Sequence, residues 1–310
     1  MLDPNIKSVY ELMQVFPTEQ ACIDYLENVR WGGLVVSPFD PTSVVYKCKG
    51  NQYRCKNTGK YFNCKSGTMF ENSKISLRKF FLGIWLLTSH KKGISSLQLA
   101  RDLGITQKSA WFLAHRIRAC FGIENEGELE GCVSSDESFF GGKNRNRHKN
   151  KKVPHSQGRS FKDKIPVLGI LQRNGKLRAI AIPDTKAKTI QPVIKSIVKF
   201  GSTLISDEWL GYKGLGKHYQ HYVIDHSKKQ YVDYNNPEIH TNDIEGFWGI
   251  IKRGYNGIYN WWSKKHINKY VSEFVFRYNL RSLSDRENFI HLLQNCNVRT
   301  TYKELIQLKC

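Results

Sequence analysis

The segment His240-Thr-Asn-Asp-Ile-Glu-Gly-Phe-Trp-Gly-Ile-Ile-Lys252 holds residues whose types and spacing could do chemistry. Ile244, Phe247, Trp248 and Ile251 recur at helical spacing and form one apolar face. Asn242, Glu245, Gly249 and Lys252 share a second face, so a carboxylate and an ammonium almost two turns apart point the same way. That pair suits a metal ion and a phosphate lying along the helix. Asn242-x-x-Glu245 equally spells a capping box, and Glu with Lys on one face is commonly a solvated flank. The segment alone leaves these readings open. Two further acids stand where strands deplete them: Asp136 within the strand-like run 129–140, and Asp207 at the end of the run 202–207. Three carboxylates brought together would repel unless cations lay between them. Hard oxygen donors suit Mg²⁺ or Mn²⁺, and two such ions about 3.5–4 Å apart could clamp the attacking and leaving oxygens of a phosphodiester.

The elements around these acids are expected to bring them to one sheet edge. Residues 165–172 and 177–182 read as a hairpin around Asn174-Gly175, a strong turn signal. Residues 189–200 read as an amphipathic helix, and 219–224 as another strand. The order strand (Asp136), strand, strand, helix, strand (Asp207), strand, then the 240–253 helix predicts an α/β ribonuclease-H-like core. Two further helices follow. One carries Ile267, Tyr270, Val271, Phe274 and Tyr278; the other starts at a Ser284-x-x-Glu287 capping box.

Charge points to the partner. The 310 residues carry 48 Lys+Arg against 27 Asp+Glu, a net +21, an excess that favours polyanions because counterion release drives binding to phosphates. A membrane surface is the competing partner, but there is no long apolar run and no basic amphipathic anchor. Met-Leu-Asp-Pro-Asn lacks the pattern of a secretory leader. The eight scattered cysteines read as reduced thiols of a cytosolic protein. Between Lys143 and Lys164 stand nine Lys/Arg and one acid, including Lys143, Arg145, Arg147, Lys149, Lys151 and Lys152. Such a run is usually a solvated loop that gains order against DNA.

The N-terminal part reads as a small DNA-binding assembly. Thr18 caps a helix to Trp31, and residues 35–70 hold three short strand-like pieces with Gly50-Asn51 and Asn57-Thr58-Gly59 turns, a small β-ribbon. Cys48, Cys55 and Cys64 have no C-x-x-C spacing, which does not support a four-thiolate zinc site. After an apolar helix over 76–90, residues 94–118 spell helix, Gly104 turn, Thr106 cap and second helix. This is a helix-turn-helix with core positions Ala110, Leu113, Ala114 and Ile117 and outward residues Gln107, Lys108, Ser109, Trp111, His115 and Arg116. A plain αα-hairpin is the alternative; the basic balance favours DNA. Gly122–Gly127 reads as a linker.

Taken together, the chain resembles the bacterial insertion-sequence transposases of the ISXO-like group, within the DDE transposase and retroviral-integrase superfamily. The resemblance rests on Phe16-Pro-Thr with Arg30-Trp31, Gly67-Thr-Met-Phe70 and Ser89-His-Lys-Lys-Gly-Ile-Ser-Ser96. It continues through Asp136-Glu-Ser-Phe-Phe-Gly-Gly142, Ser206-Asp207 with Tyr212, His240-Thr-Asn-x-x-Glu-Gly-Phe-Trp248 and Phe274-x-Phe-Arg-Tyr-Asn279. It implies metal-dependent cleavage at the ends of a mobile element and strand transfer into target DNA. The implied partners are terminal inverted repeats, target DNA and further copies of the chain, in the bacterial cytoplasm at the nucleoid. Asp136 and Asp207 correspond to the first two metal ligands and Glu245 to the third, with Lys252 two turns on and Arg253 beside it toward DNA. Relatives can carry Asn at the third position, and Asn242 stands on the same face. The family's Cys-Pro-x-Cys is Ser37-Pro-Phe-Asp40 here and its second pair is Cys55-Lys-Asn-Thr58, so structural zinc is not expected. The implied layout is an N-terminal helical segment (1–34), a degenerate zinc-ribbon-like β-ribbon (35–72), a helix-turn-helix region (73–122), the ribonuclease-H-like domain (128–282) and a helical tail (283–310). Two other readings fit the same residues: a domesticated DNA-binding repressor, which should lack one of the acids, and a nuclease of the same fold that cuts without joining.

Overall fold

The computed structural model describes residues 5–142, 144–154, 160, 163–225, 232 and 239–307. They form two compact units, one of residues up to 121 with those from 281 onward, the other within residues 122–280.

The first unit is helical with a small sheet. Helix α1 (Val9–Val15) starts where Ser8 Oγ accepts from Glu11 N–H, and α2 (Glu19–Trp31) where Thr18 Oγ1 accepts from Ala21 N–H. α2 stops at Gly32, in the left-handed region at φ 55°. The apolar α3 (Leu77–Ser89) buries Phe80, Phe81, Ile84 and Trp85. It approaches α5 closely enough that a Cβ on Gly83 would lie 2.9 Å from Leu113 Cδ2. α4 (Ser96–Leu103) turns at Gly104 (φ 58°) into α5 (Gln107–Phe121). The C-terminal segment is part of this core. In α9 (Asp285–Gln294), opened by a Ser284/Glu287 capping box, Phe289 packs on Phe81 at 5.6 Å between ring centroids. In α10 (Tyr302–Gln307), Tyr302 meets the Phe112 ring edge-on at 5.4 Å.

The ribbon is a three-stranded antiparallel sheet, β1 (Val45–Cys48), β2 (Gln52–Cys55) and β3 (Tyr61–Phe62), around Tyr53, Cys55 and Phe62, with Trp31 edge-on to Tyr53. The positions of the family's metal ligands are engaged in hydrogen bonds. Ser37 Oγ accepts from the backbone of Phe39 and Asp40, and the Asp40 carboxylate accepts from Thr42 and Asn57. Burial pushes the Cys55 thiol up, but the hydroxyls of Ser37, Ser43 and Thr58 bring it down to about 6. Two neutral hydroxyls beside one carboxylate and one thiol are a poor match for a structural zinc site, which takes thiolates and imidazoles.

The second unit is a three-layer α/β structure. Its mixed sheet runs β6 (Leu177–Ala181), β5 (Ile165–Gln172), β4 (Cys132–Phe140), β7 (Thr203–Asp207), β8 (Gln220–Ile224). β5 is antiparallel to β4 and β6, whereas β7 and β8 run parallel to β4. Alternate residues of the strands face opposite layers. Val133, Leu168, Ile170 and Leu204 pack under α6 (Ala187–Ile197). Phe140, Val167, Leu171 and Ala179 pack under α7 (Asn242–Gly254) and α8 (Ile267–Asn279). The five-stranded mixed sheet and its two helical layers fit a ribonuclease-H-like core. Residues 122–125, where the two units divide, form a 3-10 turn, and Asn125 exchanges two hydrogen bonds with Ala179 at the sheet edge (2.6 and 2.9 Å). Asn279, last of the Phe274–Asn279 motif, ties the end of α8 to Leu177 and to the Glu124 carbonyl.

Candidate active site

Two of the acids meet because one strand pair stops early. The β4–β7 ladder ends at Ser134↔Ile205, and Asp136 and Asp207 come two residues later on their strands. Both therefore look toward the α7 layer, where the two parallel strands have separated, at the carboxyl end of β7. Crevices of this kind are where open α/β sheets take ligands. One carboxylate oxygen each from Asp136, Glu137 and Asp207 lies within 4.8 Å of the others, the only such cluster of His, Cys, Asp and Glu among the described residues.

Glu137 is the member that sequence reading missed. Strand alternation turns it to the face opposite Asp136, and there the Tyr212 hydroxyl donates to its Oε1 at 2.6 Å. Tyr212 also lies 3.3 Å from Ser135 Oγ. Its fully buried phenol is raised well above its ordinary pKa by burial and by the neighbouring Glu137 charge. The adjacent acid in Asp136-Glu137 was the available signal.

Asp136 titrates high. Burial first, then the Asp207 charge and, more weakly, Glu245 push it up to about 6, against the Glu137 N–H and the Trp248 indole, which favour the charged form. Asp207, itself buried, accepts from the Trp209 backbone N–H at 3.1 Å.

α7 brings the remaining candidates. Ile244, Phe247, Trp248 and Ile251 are buried, while Asn242, Glu245, Lys252 and Arg253 lie exposed. The capping-box alternative is not realised. Thr241 is the cap residue and Asn242 the first helical one, and the Thr241 hydroxyl donates to Glu245 Oε1 at 3.0 Å. Glu245 is outside the 4.8 Å cluster, although its charge acts on Asp136. The position of the helix depends on a glycine. Gly169 pairs with Asp136 across β4–β5, and a Cβ there would lie 2.7 Å from Trp248 Cζ2. Only a residue without a side chain lets the indole cross β5 beside Asp136.

The DNA-contact candidates divide. Gln107 and Lys108 are exposed at the start of α5; Gln107 donates to Ser96 Oγ, Ser109 is half-buried beside Thr106, and Lys108 sits over the Tyr302 ring. His115 and Arg116 do not face outward as expected: they are 0% and 6% exposed. α5 is packed on more than one side, and Arg116 Nη1 donates to the Met69 and Glu71 carbonyls (3.0 and 2.8 Å), satisfying loop oxygens that would otherwise be unpaired. In the basic run, Asn144 clamps Val153 with two hydrogen bonds. Arg147 pairs with the buried Asp163, and Lys149, Lys151 and Lys152 are exposed. Lys143 and the Arg145 side chain lie outside the described residues. Among the described residues no helix is long and apolar enough to cross a membrane.

The chain is 24% identical over 282 residues to an uncharacterized protein in transposable element ISH50 of Halobacterium salinarum, a match covering 86% of this chain and 92% of that one. It is 29% identical over 108 residues to a transposase-like protein of Haemophilus influenzae, covering 34% of this chain and 81% of that one. A solved pre-cleavage Mos1 transpososome is a slight likeness without weight, with 11% identity, a TM-score of 0.25 and coverage of 70% of this chain and 79% of that one. The model of the ISXO2-like transposase domain matches residues 128–279, the stretch that contains Asp136, Asp207 and α7. Residues 128–279 are therefore an ISXO2-like transposase domain, carried by a chain that is similar over most of its length to a protein of a transposable element.

Proposed function

We propose that the chain binds the ends of an insertion sequence, cleaves them and joins them to target DNA, with Asp136, Asp207 and Glu245 as the acids that hold divalent cations. The observation that carries this reading is the convergence of Asp136 and Asp207 at the opened β4–β7 edge, in a transposase-family domain. The donor set fits Mg²⁺ or Mn²⁺: clustered hard oxygens, one of them pushed up to about 6, repel one another and are relieved by a cation. When bound, such ions supply Lewis-acid stabilisation of the phosphodiester oxygens and a more acidic water. The protein's residues do the rest. Asp136 and Asp207 are fixed by strand ends, Glu245 completes the set from α7, and Lys252 and Arg253 present positive charge along the same helix to the DNA backbone. Hydrolysis breaks one P–O3′ bond and leaves a 3′-hydroxyl and a 5′-phosphate. That 3′-oxygen then displaces the 3′-oxygen of a target phosphodiester, so one ester bond forms as another breaks. Lys149, Lys151 and Lys152 with the exposed start of α5 supply non-specific and end-specific DNA contacts respectively, and the active form is an oligomer on DNA.

A second reading of the third ligand has its own support, because Glu137 lies inside the 4.8 Å cluster and Glu245 does not. Glu245 is preferred because it is exposed on α7, the layer toward which Asp136 and Asp207 look, and its charge acts on Asp136, whereas Glu137 is held by Tyr212 on the other face. The test is Mg²⁺-dependent cleavage and joining of DNA containing the element ends. Asp136→Asn, Asp207→Asn and Glu245→Gln are expected to be inactive while still binding the ends, and Glu137→Gln to retain activity. A folded but dead Glu137→Gln beside an active Glu245→Gln exchanges the two roles. Wild-type protein that binds element ends but never cuts them overturns the enzyme reading in favour of a repressor.

A further inference from the structure

Next to Asp207 opens a cavity of about 500 Å³ whose lining includes Asp207, Trp209, Leu210, Lys213, Lys217 and His221. Its walls are built, not incidental. The Trp209 indole N–H donates to the Thr185 carbonyl at 2.7 Å and its backbone N–H to the Asp207 carboxylate. Gly211 leaves no room behind it: a Cβ there would lie 2.9 Å from both Thr185 O and Trp209 Cδ1. Gln191 on α6 holds the following backbone by donating to the Gly211 and Lys213 carbonyls (3.2 and 2.9 Å). His221 is fixed from β8 by a 2.9 Å contact of its Nε2 with Ser206 Oγ.

A pinned tryptophan is normally covered, but Trp209 is 39% exposed and the adjacent Leu210 73%. The acids of this cavity, Asp207 and Glu208, come from the end of β7, and its lysines from the 3-10 turns that follow. A rigid aromatic face, an apolar neighbour and two exposed ammonium groups within one cavity match the chemistry of one unstacked nucleotide, with base on the ring and phosphate at the lysines. We infer that this cavity is a subsite for a single-stranded deoxynucleotide, taking the nucleotide that adjoins the phosphodiester presented to Asp207. The inference rests on the transposase reading for its connection to cleavage, but not for binding itself. The subsite is sequence-tolerant, because every base has a π-face, and it favours DNA whose strands are already parted.

The experiment uses the full chain and a short single-stranded oligodeoxynucleotide carrying 5-iododeoxyuridine, without added metal. Irradiation is expected to cross-link the peptide containing Trp209, and unlabelled single strand to compete better than the matching duplex. Trp209→Ala should weaken binding of the single strand by about tenfold, within the range for loss of one base stack, and Trp209→Phe should restore most of it. Lys213→Ala with Lys217→Ala should flatten the salt dependence, by roughly 0.7 in slope for each phosphate no longer neutralised. Thermal melts of each variant separate loss of binding from loss of fold, and the lysine pair tests the site even if Trp209→Ala unfolds. A cross-link mapped elsewhere, or Trp209→Ala and the lysine pair binding like wild type, overturns the subsite. Cleavage of intact element ends by the same wild-type preparation is scored separately. Cross-linking without cleavage leaves the subsite standing and removes the transposase chemistry, whereas cleavage without the cross-link does the reverse.

Discussion

In chelator, Asp136→Asn should make the protein more stable at neutral pH, the opposite of the usual effect of removing a charged side chain. Asp136 is pushed up to about 6 by burial and by Asp207, whereas an unfolded aspartate titrates near its ordinary value of about 3.9. Between these values the folded chain holds a proton that the unfolded chain has lost. Stability therefore falls as pH rises from about 4 to about 6 and stays low above that. A shift of about two units at 1.36 kcal/mol each gives up to about 3 kcal/mol, or a Tm difference of roughly 5–10 °C. Asparagine approximates the protonated acid and removes the penalty. The assay is a pair of thermal melts, wild type and variant, at several pH values in chelator and again with Mg²⁺. The variant should gain nothing below about pH 4 and the full amount above about pH 6. Added Mg²⁺ should raise the wild-type Tm by mass action and leave the variant's nearly unchanged. A chelated variant no more stable than wild type at pH 7, or a gain equally large in acid, would refute the claim that Asp136 carries unrelieved charge.

Gly169→Ala should lower cleavage at least tenfold and cost about 1–3 kcal/mol, because its Cβ would collide with Trp248 and displace α7; activity assays and melts on the variant decide it. Arg116→Met should destabilise the protein by about 2 kcal/mol or more by leaving the Met69 and Glu71 carbonyls unpaired. If Arg116→Met instead lost only DNA affinity at unchanged Tm, its structural role would be wrong. Purified protein should hold less than one zinc per chain by elemental analysis, since Asp40, Ser37 and Thr58 stand in ligand positions and are tied to hydrogen-bond partners or to Cys55; a bound zinc released by Cys55→Ser would show otherwise. Binding to element-end DNA should weaken steeply with salt, with a slope near −0.9 per phosphate contact. Neutralising Lys149, Lys151 and Lys152 should flatten it.

Local chemistry was written in the chain and needed no tertiary information. The 3.6-residue spacing of Ile244, Phe247, Trp248 and Ile251 makes α7 bury that face, because only one stripe can meet a sheet. Asn174-Gly175 can close only a tight hairpin, and Ser284 with Glu287 forms its reciprocal cap from residues three apart. The identities of Asp136 and Asp207 as unusual strand acids were legible for the same reason. Contacts between distant segments were not. His115 and Arg116 carry polar side chains on a helix, and no periodicity announces that both are buried or that Arg116 meets the loop at 69–71. The final helices look like a tail until Phe289 is seen against Phe81. Glu137 follows Asp136 and should face away from it. Yet one of its carboxylate oxygens lies within 4.8 Å of those of Asp136 and Asp207, with the Tyr212 hydroxyl donating to it from a segment 75 residues away, which strand alternation does not announce. The cavity beside Asp207 was equally hidden, since Thr185 holds the Trp209 indole and Gln191 the backbone after it, partners set by how α6 packs on the sheet. Sequence determines what each residue can do to its near neighbours. Which distant groups share a low-dielectric space, and so which acids repel and which rings stay open, is decided only when the layers close.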